Sequence, residues 1–161
     1  MKAIKQNDRV ILLKLLDESY EKKAWHGPNL RGSLRGVTFE KAAWRPNPDR
    51  HNIWEIFVHC AYWKYVVRRR ILGERKGSFP LKGSNWFKRP IVFTPEALSQ
   101  DLALLQHTHR AMMDAIQSLD ARALKEIPKN SNVSNEAIIR GIASHDVYHA
   151  GQIQLLKRIM K

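Results

Sequence analysis

Apolar residues recur at helical spacing in four long segments, and no stretch alternates as a half-buried strand would, so the pattern predicts an all-α chain. The first helix is expected from about Asn7 to Trp25, carried by Leu12, Leu13, Leu15, Leu16 and Tyr20, with "HGPN" stopping it. A long connection follows. It holds a short helix over "TFEKAAW", capped by Thr38, and then "RPNPDR", whose prolines exclude a continuous helix.

The second helix opens at "NIWE", where Asn52 as N-cap and Glu55 three residues on have the spacing of a capping box. Its buried stripe reads Ile53, Ile56, Phe57, Cys60, Trp63, Val67, Ile71. "GERKGSFPLKGSNWFKRPIVF" has the glycines and prolines of a long loop, the kind that borders a site. The third helix starts at "TPEA", with Thr94 as cap and Pro95 in the first turn, and its seam is Leu98, Leu102, Leu105, His109, Met112, Ile116, Leu119. The fourth begins at "SNEA", capped by Ser134, and runs nearly to the end. Four amphipathic helices of roughly 18 to 26 residues joined by some long connections predict a four-helix bundle. Residues 1–161 form one domain on this reading, with a core that needs no disulfide or metal staple.

Charge adds a question without changing that picture. The chain carries 28 Lys+Arg against 15 Asp+Glu, a formal +13, which raises a polyanion as partner. The basic residues are scattered, however. The one dense run, Arg68 to Arg70, falls near the expected C-terminal end of the second helix, where the helix dipole favours cations. With no zinc-finger, ribonucleoprotein or basic-zipper pattern, nucleic acid is not expected as a partner. The lone cysteine, Cys60, has no internal partner, and the N-terminal segment is too charged for a signal peptide or membrane helix, so a reducing cytoplasm is the expected compartment.

The candidate chemistry lies in the fourth helix. Its seam, followed at steps of four and three, reads Ile138, Ile142, His145, His149, Gln152, Leu156, Ile159. An uncompensated buried polar group costs about 1–3 kcal/mol, so three in succession need partners. Imidazoles at i and i+4 share a helix face and can converge on a divalent metal. A third ligand should come from a facing helix, and His59 flanks the stripe of the second. Glu55, one turn earlier, reads first as the capping-box partner of Asn52, with orientation of His59 as the alternative. His109 sits in the third seam either as a packed core histidine or as a fourth ligand; Cys60 reads as an inert buried thiol. Three protein ligands leave a coordination position open, as at a catalytic metal, and Tyr148 and Gln152 are then the candidates to contact a substrate. Gly151 has room for a close approach or for packing. A zincin protease is not supported: "HDVYH" has Asp146 where that motif has glutamate, and too little chain follows to supply a third ligand.

The stretches "WHGPNLRGSL", "HNIWEIFVHCAYW" and "HDVYHAGQIQLLKR" resemble the DinB-like superfamily, over nearly the whole chain from Trp25 to Arg158. The resemblance implies an up-down-down-up four-helix bundle with a divalent metal held by one histidine of the second helix and two of the fourth, which on this chain are His59, His145 and His149. It also implies a homodimer. Its activities include low-molecular-weight-thiol S-transferases and isomerases beside metal-dependent hydrolases of unknown substrate, so the expected function is a metal-dependent hydrolase or thiol transferase acting on a small electrophile. Zinc or nickel is the expected metal, with iron or manganese as further candidates and a thiol as a second cofactor. The contrasting reading is a non-enzymatic, stress-related metal-binding or interaction protein.

Overall fold

A computed structural model describes residues 4–129 and 131–160, and every regular element among them is helical. The order is α1 (Ile4–Tyr20), α2 (Leu30–Ser33), α3 (Phe39–Ala43), α4 (Ile53–Ile71), α5 (Pro95–Ser118), a 3-10 turn at Ala123–Lys125, and α6 (Asn135–Ile159). No helix among the described residues is long and apolar enough to cross a membrane.

Four of the helices start where side-chain caps dictate. Thr38, Asn52, Thr94 and Ser134 each accept a hydrogen bond from the backbone N–H three residues on, satisfying a donor the helix itself leaves free. The first helix departs from expectation by ending at Tyr20 rather than near Trp25. The N–H groups of Glu21 and Lys22 both turn onto the carbonyl of Asp17, and the Asn29 side chain takes the Lys22 carbonyl at 2.6 Å, so the chain folds back early. Asn29 also caps α2, a single turn that the sequence pattern did not reveal.

Two apolar clusters make the core. One gathers Tyr20 from the end of α1, Ile53, Trp54 and Phe57 from the start of α4, Leu98 and Leu105 from the first half of α5, and Ile153 and Leu156 from the end of α6. The other gathers Leu12 and Leu16, Val67 and Ile71, Met112 and Ile116, and Ile138, Ile139 and Ile142. The α5 seam is buried as expected apart from half-buried Leu102.

Three seam assignments change. Leu15 of α1 faces solvent. On α4 the position between Cys60 and Val67 belongs to Lys64, which is 0% exposed, while Trp63 sits at the half-buried edge. On α6 the fully buried line runs through Ile139, Asp146 and Ile153; His145 and Gln152 are half-buried and Ile159 is exposed. The polar run therefore lies along the margin of the core, where α6 meets solvent, with only His149 of the three buried.

Inside the core Lys64 donates to Asp146, and neither side chain has any exposure. Lys64 also lies 5.1 Å above the Tyr20 ring. Burial pushes the Asp146 carboxyl above the ordinary carboxylate range while Lys64 pulls it back. A lysine and an aspartate in an apolar core are tolerable only together, because either alone would be an unpaired buried charge.

Candidate metal centre

The capped start of α4 sets the phase of that helix and presents His59 toward α6, where the i, i+4 pair of His145 and His149 lies. The Nε2 atoms of His59 and His149 each lie 3.1 Å from Nε2 of His145. His59 and His149 are buried, His145 half-buried, and the three together are able to hold a metal ion.

The opposite ring nitrogens decide what two of those atoms are. His59 Nδ1 donates to the carbonyl of Asn85 at 2.7 Å, and His149 Nδ1 donates to Gln152 Oε1 at 2.7 Å. With the proton on Nδ1 in both rings, each Nε2 carries a bare lone pair. Both lone pairs point at His145, whose own Nδ1 is buried with no partner among the described residues. Nitrogens bound to one zinc at about 2.0–2.1 Å in a tetrahedron stand roughly 3.4 Å apart, close to the spacing found, and a cation among them would take the two fixed lone pairs together with one from the His145 ring. Burial is also the main reason that His145 is held down to about 3 and His149 to about 4, with His59 shifted in the same direction, so all three imidazoles are neutral near pH 7.

Supporting groups come largely from the loop between α4 and α5. Asn85 adopts φ 64°, a left-handed conformation that asparagine tolerates better than most side chains, and so turns its carbonyl onto His59. Its Oδ1 accepts from Trp63 Nε1 at 2.9 Å. Trp86 stacks on His59 at 3.9 Å and on His51 at 3.7 Å, packing one face of the ligand ring. Sequence reading placed this loop beside a site but missed Asn85 and Trp86, because a backbone carbonyl and a stacking partner leave no spacing to detect.

Glu55 does not orient His59. Its carboxylate accepts from Arg45 Nη1 at 2.9 Å and Nη2 at 2.5 Å, from His51 at 2.9 Å and from the Arg89 N–H at 3.1 Å. Asn52 supplies its half of the capping box, but Glu55 spends its oxygens tying the loops on either side of α4 together. His51, read from sequence as a plain loop histidine, is part of that tie. Burial alone would raise the Glu55 carboxyl; the bonds from Arg45, His51 and Arg89 outweigh it and hold the carboxyl below its ordinary range. A depressed carboxyl stabilises the fold above its unfolded pKa and loses that contribution as pH falls through the folded value. Glu55→Gln is therefore expected to cost about 2 kcal/mol at pH 7, with the gap to the unmodified protein closing below about pH 4, as read by thermal melts across pH. A gap that stays constant down to pH 3 would contradict the assignment.

The remaining candidates separate cleanly. Gln152 is an orienting group for His149, and its Nε2 donates to the Tyr148 hydroxyl at 3.1 Å, which leaves Tyr148, 64% exposed, as the side chain facing solvent. His109 does not join the cluster: it stacks on Tyr20 at 3.6 Å, and burial, followed by the charge of Lys64, holds it down to about 2. Cys60 is fully buried and burial pushes its thiol well up, so it is inert as expected. Cys60, His145 and Asp146 also bring ligand atoms within 4.8 Å of one another, but the Lys64 ammonium already compensates the Asp146 charge through Oδ2 and burial pushes the Cys60 thiol well up, so this second grouping is the weaker one for a cation. Gly151 is exposed, and a Cβ there would meet nothing in this chain, which removes the intrachain packing role.

These features define an all-helical protein with a buried three-histidine cluster at the margin of its core. A family model described as the DinB superfamily matches residues 24–153, and the chain belongs to that superfamily. No curated protein and no solved structure matches it.

Proposed function

We propose that the protein binds one divalent metal ion through His59, His145 and His149 and is a metal-dependent enzyme acting on a small electrophile, by hydrolysis or by transfer of a low-molecular-weight thiol. The observation that carries this reading is the convergence of three Nε2 atoms at 3.1 Å steps with two of the rings fixed from behind. Zinc or nickel suits three imidazoles best, with iron or manganese as alternatives. A divalent ion held there supplies Lewis acidity toward a water or a thiol sulfur. Asn85 and Gln152 keep two ligand rings in one tautomer, Trp63 and Trp86 exclude water from the flanks of His59, and Tyr148 offers a hydroxyl to a substrate. No fourth histidine, cysteine or carboxylate joins the three among the described residues, which supports an open coordination position over a closed structural one.

Turnover of a model electrophile by the metal-loaded protein, with and without added thiol, separates the two reactions. Product that requires thiol identifies the transferase, and thiol-independent product the hydrolase. Product in neither arm would return the protein to the non-enzymatic, stress-related metal-binding reading.

The four long helices fit an up-down-down-up bundle, since the two core clusters group the starts of α4 and α5 with the ends of α1 and α6. A homodimer is supported by the exposed side of α6, where Tyr148, Leu155 and Ile159 stand at helical spacing with Gly141, Ser144 and Gly151, beside exposed Ile11 and Leu15 of the neighbouring α1. Light scattering is expected to give twice the chain mass, and Leu155→Arg to halve it; a single-chain mass for the unmodified protein would dispose of the dimer. A reducing cytoplasm fits the free thiol of Cys60.

A further inference from the structure

A cleft of about 1040 Å³ opens between the end of α1, α2 and the first half of α5, and none of the three clustered histidines lines it. Its cationic side chains are Lys22, Lys23, Arg31 and Arg35. The one carboxylate in the lining, Glu21, is taken by Arg31 at 2.7 Å, so Lys22, Lys23 and Arg35 have no acidic partner among the described residues. Lys157 adds to the same side: its ammonium donates to the carbonyls of Ser33 at 3.0 Å and Arg35 at 2.8 Å, and burial, then Lys41 and Arg35, lower its pKa. Like charges gathered without a counter-ion cost free energy that a bound anion would recover.

With a net charge of +13, a cationic patch by itself would be ordinary. Here the patch rims a concavity with an apolar wall, formed by Leu34, Leu102 and Ala103. At its floor the Tyr20 hydroxyl donates to Gln106 Oε1 at 3.1 Å, which commits that oxygen and leaves the amide N–H groups of Gln106 as the donors. Concavity, an apolar wall and a few directed polar groups are the features of a small-molecule site.

We propose that this cleft binds a small organic anion, an apolar or aromatic body bearing a sulfonate, phosphate or carboxylate, with the charged group at Lys22, Lys23 and Arg35 and the body against Leu34, Leu102 and Ala103. The site is separate from the metal centre and does not depend on its loading. It gives a local purpose to part of the positive charge that the helix pattern left unexplained.

The test is titration of the full chain with 8-anilinonaphthalene-1-sulfonate, followed by fluorescence and calorimetry. One saturable site per chain is expected. Lys23→Glu/Arg35→Glu is expected to weaken it at least tenfold through the rim. Ala103→Glu, which changes an exposed helical residue and puts a carboxylate on the apolar wall, is expected to weaken it to a similar degree. Arg122→Glu/Lys129→Glu makes the same change in net charge away from the cleft and should leave affinity within about twofold. Equal weakening by both charge-reversal pairs would overturn the site in favour of a diffuse surface field. Undiminished binding to Ala103→Glu would overturn it by placing the probe elsewhere, and competition by inorganic phosphate as strong as that of the probe itself would remove the apolar half of the proposal.

Discussion

Protein purified without a polyhistidine tag is expected to carry about one divalent metal ion per chain by elemental analysis, and His145→Ala to lose it. His145 is the sharpest choice because its Nε2 is the atom both other ligands approach, at 3.1 Å each. Removing it leaves His59 and His149 as a pair, so affinity should fall by more than about 100-fold, beyond what loss of an orienting group costs. Gln152→Ala provides the graded comparison: it keeps all three ligands but frees the His149 ring, and is expected to weaken the metal by about 10- to 100-fold. Full occupancy in His145→Ala would show that the three rings are not the binding set. If instead Gln152→Ala bound the metal as tightly as the unmodified protein, the tautomer argument would fail while the site survived.

The second large effect concerns stability. Lys64→Ala takes away the one cation that holds the Asp146 carboxyl down, leaving it in a region of zero exposure either charged and unpaired or protonated at a cost, and is expected to destabilise the fold by about 3–5 kcal/mol, roughly a 10 °C fall in Tm for a chain of this size. Lys64→Met/Asp146→Leu replaces both charges with apolar side chains of similar volume and should recover most of that loss. Lys64→Met alone separates this pair from an ordinary cavity: it refills the space but leaves Asp146 unpaired, so it should stay well below the double variant. A Lys64→Ala cost below about 1 kcal/mol would mean that water reaches the pair.

Much of this was legible in the chain. Caps at Thr38, Asn52, Thr94 and Ser134 are local chemistry, written within four residues of where they act, and all of them hold. The histidine triad could be assembled because an i, i+4 pair beside an apolar stripe asks for a partner on a facing helix. What escaped was whatever depends on a few tens of degrees of helix rotation. Trp63 and Lys64 compete for one seam position, as do His145 and Asp146, and hydrophobicity favours the tryptophan while packing favours the lysine once aspartate faces it. A lysine at a seam position on one helix and an aspartate at one on another were the available signal, and neither is interpretable without the other. Asn52 caps Glu55 as expected, but the use of the Glu55 carboxylate escaped for a different reason: its partners Arg45 and Arg89 lie in loops on opposite sides of α4, at separations no helical period describes.

One left-handed backbone torsion in a loop, at Asn85, turns a carbonyl onto His59, and that carbonyl fixes which nitrogen of the ring bears its proton. The same residue's side chain positions Trp63 beside that ring. The donor identity of a metal ligand is thus written in a φ angle twenty-six residues away along the chain. A substitution that moved this torsion would reverse the ring's lone pair without touching a ligand, so the loop, and not only the helices, defines the coordination chemistry.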